Sequence, residues 1–113
     1  MITLLFFLLG YRTILVENQF KPTTISIGIV TAYTSEESQT DSTPFITASN
    51  QKVRDGIVAN NCLAFGTKVE IAGKVYEVQD RKNKRYGCEW YDIWFESKKE
   101  ALEFGIQELI IKK

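Results

Sequence analysis

Thr67-Lys68-Val69-Glu70-Ile71-Ala72-Gly73-Lys74-Val75-Tyr76-Glu77-Val78-Gln79 is the stretch whose reading decides the fold. Thr67 to Ile71 and Val75 to Gln79 are rich in β-branched and aromatic residues. The Ala72-Gly73-Lys74 link between them is short and carries a glycine suited to a tight reversal. A β-hairpin is predicted here.

Downstream, Asp80 to Glu89 carries Arg81, Lys82, Lys84 and Arg85 without apolar periodicity and reads as a basic connecting loop. Trp90 to Phe95 returns to strand. Side chains alternate along a strand, so Tyr91, Ile93 and Phe95 share one face and Trp90, Asp92 and Trp94 the other. Asp92 is thereby placed between two indoles. Ser97-Lys98-Lys99-Glu100 has the form of a capping box, with Ala101, Leu102 and Phe104 as a short apolar helix face and Gly105 as its stop. Ile106, Leu109, Ile110 and Ile111 predict a last strand. Upstream of the hairpin, Gly66 opens a turn, Asn60-Asn61 is a polar break, Ile57-Val58-Ala59 a short strand, and Asp55-Gly56 a tight turn. Phe45-Ile46-Thr47 re-enters the fold after Pro44, behind a polar loop from Thr34 to Ser42. Before that loop, Ile25, Ile27 and Ile29 alternate with Ser26 and Gly28, the pattern of a half-buried strand reaching about Tyr33. Many short strands with one helix imply a small, mainly β barrel.

Leu4 to Leu9 is an apolar run, too short to span a bilayer, which takes roughly 20 residues. It resembles the core of a secretory signal, although a basic leader and a small-residue cleavage site are missing. Residues 1–22 are therefore expected to be a signal-like or membrane-anchor segment plus a polar tether, with N-terminal membrane association; a buried first strand is the alternative. The folded domain is expected over 23–113. With 44% hydrophobic and 25% charged residues the chain has the balance of a globular protein. Fourteen basic residues offset fourteen acidic ones, so the positive field of a nucleic-acid binder is absent. There is no histidine, which removes the commonest zinc ligand and the usual base of serine and cysteine triads. Cys62 and Cys88 lack CxxC spacing, so no metal site is expected, and whether they pair depends on the redox compartment.

Several segments resemble the 3D (three-aspartate) domain family, whose barrel is shared with a class of peptidoglycan lytic transglycosylases. They are Val30-Thr31-Ala32-Tyr33-Thr34, Thr40 to Ser49, Gly56 to Ala59 leading to Phe65-Gly66-Thr67-Lys68-Val69, Val78-Gln79-Asp80, and Tyr91-Asp92-Ile93-Trp94-Phe95 with Glu100 to Gly105. The resemblance covers roughly residues 30–111. It implies a six-stranded double-psi β-barrel with one short C-terminal helix and a secreted or cell-envelope protein acting on peptidoglycan glycan strands without a cofactor. Two features depart from the family pattern. Asn60-Asn61 stands where the family's first aspartate falls, and the basic run Arg81 to Arg85 replaces a glycine-rich loop.

By the same resemblance Asp92 is the acid/base carboxyl, Asp80 orients or tunes it, and Thr47 hydrogen-bonds the carboxyl or the substrate. Independently of the family, indoles on either side would desolvate Asp92, and an ionised Asp80 nearby would raise its proton affinity. Arg81 and Arg85 could grip substrate carboxylates, though a solvated loop is the commoner fate of such a run. Tyr33, Tyr86, Trp90 and Trp94 could stack on sugars or pack in the core. Asp41 offers a further carboxylate, with a local turn bond as its alternative. Two other readings stay open. One is a non-catalytic carbohydrate-binding barrel. The other is a hydrolase using Asp92 with a second carboxylate, which fails if the two lie more than about 10 Å apart.

Overall fold

The computed structural model describes residues 20–35 and 45–113; most of the signal-like segment, the polar loop, Pro44 and Asp41 lie outside them. Six strands form a closed barrel: β1 (Ile25–Tyr33), β2 (Ile57–Ala59), β3 (Lys68–Ile71), β4 (Lys74–Asp80), β5 (Trp90–Trp94) and β6 (Gln107–Lys112). The helix among the described residues is α1 (Lys98–Phe104). This is the mainly β, six-stranded barrel with a short helix that the sequence implies. Around the ring the order is β1-β5-β2-β4-β3-β6. The β1/β5 and β2/β4 pairs are parallel and the other four antiparallel, so every strand has two neighbours and no edge is left to template aggregation. Where the ring closes, Thr23 and Thr24 both donate their backbone N–H to the Lys113 carbonyl, at 2.9 and 2.8 Å.

The hairpin forms, with Lys74 paired to Ile71 at the start of β4 so that the link is Ala72-Gly73 alone. Ala72 and Gly73 both have positive φ, 51° and 81°, the combination of the two-residue turn whose twist matches the flanking strands. The barrel interior is filled by Val30, Val58, Val69, Ile71, Val78, Tyr91, Ile93 and Ile111. Strand β1 contributes to it with the opposite face from the expected one. Ile25 and Ile27 are 72% and 69% exposed, while Gly28 and Val30 are buried. The reason is space: a Cβ on Gly28 would lie 2.7 Å from Ile111 Cγ1 and 2.9 Å from Tyr91 Cδ1, so only glycine lets the strand approach those rings and branches. In α1 the capping box is present, with the Ser97 hydroxyl oxygen accepting the Glu100 backbone N–H at 3.0 Å. The helix itself buries no residue, and Phe104 packs on Phe95 at 5.4 Å between ring centroids.

Candidate active site

Strand β5 alternates as its sequence dictates. Tyr91 and Ile93 enter the core, and Trp90, Asp92 and Trp94 lie half-buried on the opposite face. Register then sets the neighbours of Asp92. It pairs with Thr31 on β1 and with Ala59 on β2, and Ala59 pairs in turn with Asp80 at the end of β4. Four adjacent strands thus bring Thr31, Asp92, Ala59 and Asp80 into one row, with only a methyl group between the two carboxylates. Two strand spacings separate the Asp92 and Asp80 backbones, roughly 10 Å.

The Asp92 carboxyl is held from two sides. Thr31 Oγ1 donates to Oδ1 at 2.8 Å, and Lys82 Nζ lies 3.3 Å from Oδ2. The Asp92 and Lys82 side chains are only 14% and 12% exposed. Burial is the largest influence on Asp92 and raises its pKa above the ordinary value, with Asp80 adding a small rise. The Lys82 charge and the hydrogen bonds from Thr31 and Lys82 pull the other way without reversing the direction. The result is a carboxyl that keeps its proton to higher pH than a solvated aspartate, beside a cation that limits the effect.

Asp80 is a hub of a different kind. Its Oδ2 accepts the Tyr33 hydroxyl at 2.6 Å, and its Oδ1 accepts the backbone N–H of Ala48 and of Arg81, both at 2.9 Å. Burial and then the Asp80 charge push the Tyr33 phenol far above its ordinary pKa, so it serves as a donor at any physiological pH. Thr47 is buried, and its hydroxyl pairs with Ser49 Oγ at 2.8 Å and accepts the Gln51 N–H at 3.1 Å. These bonds close the turn that presents Ala48 to Asp80. Thr47 therefore touches the site through its neighbour's backbone.

The basic loop after β4 is pinned by two asparagines. Asn60 is fully buried and saturated. Its Nδ2 donates to the carbonyls of Cys88 and Trp90 at 3.0 and 2.9 Å, and its Oδ1 accepts the N–H groups of Cys62 and Leu63, both at 2.9 Å. Asn61 Oδ1 accepts the Lys82 N–H at 2.8 Å, while its Nδ2 donates to the carbonyls of Asn83 and Tyr86. A Cys62–Cys88 disulfide ties the loop's far end to the same segment. Arg81 turns onto the barrel, donating to the Asn60 carbonyl at 2.9 Å with its guanidinium 3.8 Å from the Phe65 ring centre. Arg85 is exposed and bonds the Tyr86 hydroxyl. Trp90 stacks edge-on against Tyr86 at 4.8 Å. Trp94 donates its indole N–H to Ser35 Oγ at 2.8 Å and, with Glu96, lines cavities of about 480 and 340 Å³.

The residues expected to act together thus fall into one neighbourhood: Asp92, Asp80, Tyr33, Trp90 and Trp94, with Thr47 behind them. The Arg81 and Arg85 side chains bond Asn60 and Tyr86 rather than the side chain of any of these, and Asp41 lies outside the described residues. Thr31, Lys82, Asn60 and Asn61 were not anticipated. None of these carried a signal in its own stretch of sequence, since even Thr31 meets Asp92 only through the pairing of β1 with β5. No family model matches the chain, and no curated protein matches it.

Proposed function

We propose that this chain is a lytic transglycosylase-like domain that cleaves the glycan strand of peptidoglycan, with Asp92 as the single acid/base. The observation that carries the reading is the half-buried Asp92 carboxyl, shifted toward its protonated form, on a strand face flanked by Trp90 and Trp94. In the first half of the reaction Asp92 gives its proton to the bridging oxygen as the C1–O bond breaks and its electron pair leaves with that oxygen. In the second, the Asp92 carboxylate takes the proton of the muramyl 6-hydroxyl while that oxygen bonds C1. The anhydro ring closes and no water is consumed. Thr31 fixes the orientation of the carboxyl, and Asp80 is itself held by three donors. Trp94, two residues along β5 from the acid, lines cavities of about 480 and 340 Å³, and Asp92 itself is not among the residues lining them. The Cys62–Cys88 disulfide fits an oxidising compartment such as the cell envelope.

Replacing Asp92 by Asn keeps the shape and removes the proton. Release of anhydromuropeptides from purified murein is expected to drop by about 10²–10⁴-fold; activity equal to the parent protein would refute the assignment. A second reading, a carbohydrate-binding barrel without catalysis, is favoured by one specific feature. Lys82 already partners the acid, and Asn60 and Asn61 stand in place of a family carboxylate. In that case the parent chain and Asp92→Asn sediment with murein alike and neither yields product.

A further inference from the structure

Among the basic residues of the 81–85 loop, one points inward. Lys84 and Arg85 are exposed to solvent, as lysines and arginines on connecting loops normally are, while the Lys82 side chain is 12% exposed. Burying an ammonium group is unfavourable unless partners replace its water. Lys82 has four. Its Nζ stands 3.3 Å from Asp92 Oδ2 and 3.3 Å from Thr31 Oγ1, 4.3 Å from the centre of the Tyr86 ring and 5.6 Å from that of Trp90. Two aromatic faces and two oxygens thus enclose the cation.

The loop is shaped to deliver it. Asn61 accepts the Lys82 backbone N–H and donates to carbonyls on both sides of Lys84, and a polar side chain three times bonded to one loop fixes that loop's path. A flexible four-carbon side chain could have reached water instead; its turn inward is the costlier course and needs the Asp92 carboxylate to sustain it.

We propose that Lys82 is a positioning residue of the Asp92 site, its ammonium orienting the carboxyl and setting the pH at which that carboxyl gives up its proton, with Asn61 as the support that holds Lys82 in place. The inference rests on the reading of Asp92 as the working group. The groups that face the Asp92 carboxyl are Thr31 and Tyr33 from β1, Asp80 from β4 and Lys82 from the loop. Lys82 is the cation among these. An opposite charge favours the ionised carboxyl, so its removal leaves burial and Asp80 to act unopposed, and the proton is held more tightly. The shift is therefore toward alkaline pH.

The test follows the carboxyl itself, by the pH titration of the Asp92 ¹³C signal in the full chain without any glycan. Lys82→Met keeps an unbranched side chain one atom shorter and removes the charge; its midpoint is expected to rise by about one pH unit, a tenfold tighter hold on the proton. Lys82→Arg is expected to stay close to the parent, and Lys84→Met, on the same loop but exposed, to leave the curve unchanged. Asn61→Ala frees the loop and is expected to move the midpoint the same way as Lys82→Met. An Asp92 midpoint unmoved in a folded Lys82→Met protein overturns the proposal, as does an equal shift in Lys84→Met. Should Lys82→Met fail to fold, the Asn61→Ala titration decides alone, and no shift there overturns it. Because no substrate enters this measurement, a murein assay without product refutes the proposed activity while leaving the titration to judge Lys82.

Discussion

Asn60 illustrates how much one side chain can hold in a small barrel. A carboxamide has two donor hydrogens and a carbonyl with two lone pairs, and here all four are used, between β2, the 61–63 segment and the start of β5. An aspartate could accept from Cys62 and Leu63 as well, but it has no hydrogens for the Cys88 and Trp90 carbonyls. Asn60→Asp would therefore set a buried negative charge against two carbonyl oxygens. We expect a loss of about 3 kcal/mol or more of unfolding free energy, measured by urea denaturation at neutral pH. Asn60 is thus committed to architecture. The carboxylates left in the row of strands are Asp92 and Asp80, with Ala59 between them.

The elements show which parts of the fold local sequence can announce. The β3–β4 hairpin was readable because Ala72-Gly73 joins two β-rich runs, and the turn and cap at Ser97 because three residues of spacing define them. Strand β5 was readable in both position and facing, since Asp92 between Trp90 and Trp94 leaves the Tyr91 and Ile93 face as the one without a charge to bury. Strand β1 announced its span but not its facing. Three isoleucines argued for one side, and the side that packs instead carries Gly28, whose value lies in what it omits. Filling that gap tests the account. Gly28→Ala would force its methyl onto Ile111 and Tyr91, and we expect it to cost about 1–3 kcal/mol, read as a lowered urea midpoint at unchanged slope. A gain in stability would show that the strand has room to move. Lys82 was not readable for another reason: its inward turn depends on Asn61, 21 residues earlier, and nothing in Arg81 to Arg85 itself distinguishes one basic residue from the next.

At the scale of the whole molecule, the barrel and the disulfide divide the task of stability. The closed ring of strands encloses a core of a few valines, isoleucines and one tyrosine, while the 60–63 and 81–89 segments outside it have little apolar burial of their own. Cys62 and Cys88, 26 residues apart, close them into one loop. A cross-link of that span lowers the entropy of the unfolded chain by an amount worth about 3–4 kcal/mol. Replacing both cysteines by alanine is expected to lower the melting temperature by more than about 10 °C, and a scanning calorimetry trace identical to the parent's would contradict this. The barrel itself should survive, because no strand pairing depends on the sulfurs.

Thr23, Thr24 and Lys113 share backbone hydrogen bonds, so the chain enters and leaves the ring side by side. A short bridge of glycines and serines across that gap would let new termini be cut at the solvent-facing Ala72-Gly73 tip, giving a circular permutant with every strand neighbour retained. In such a molecule the β3–β4 pair would be separated in sequence, and refolding would have to begin from a different nucleus while ending in the same ring.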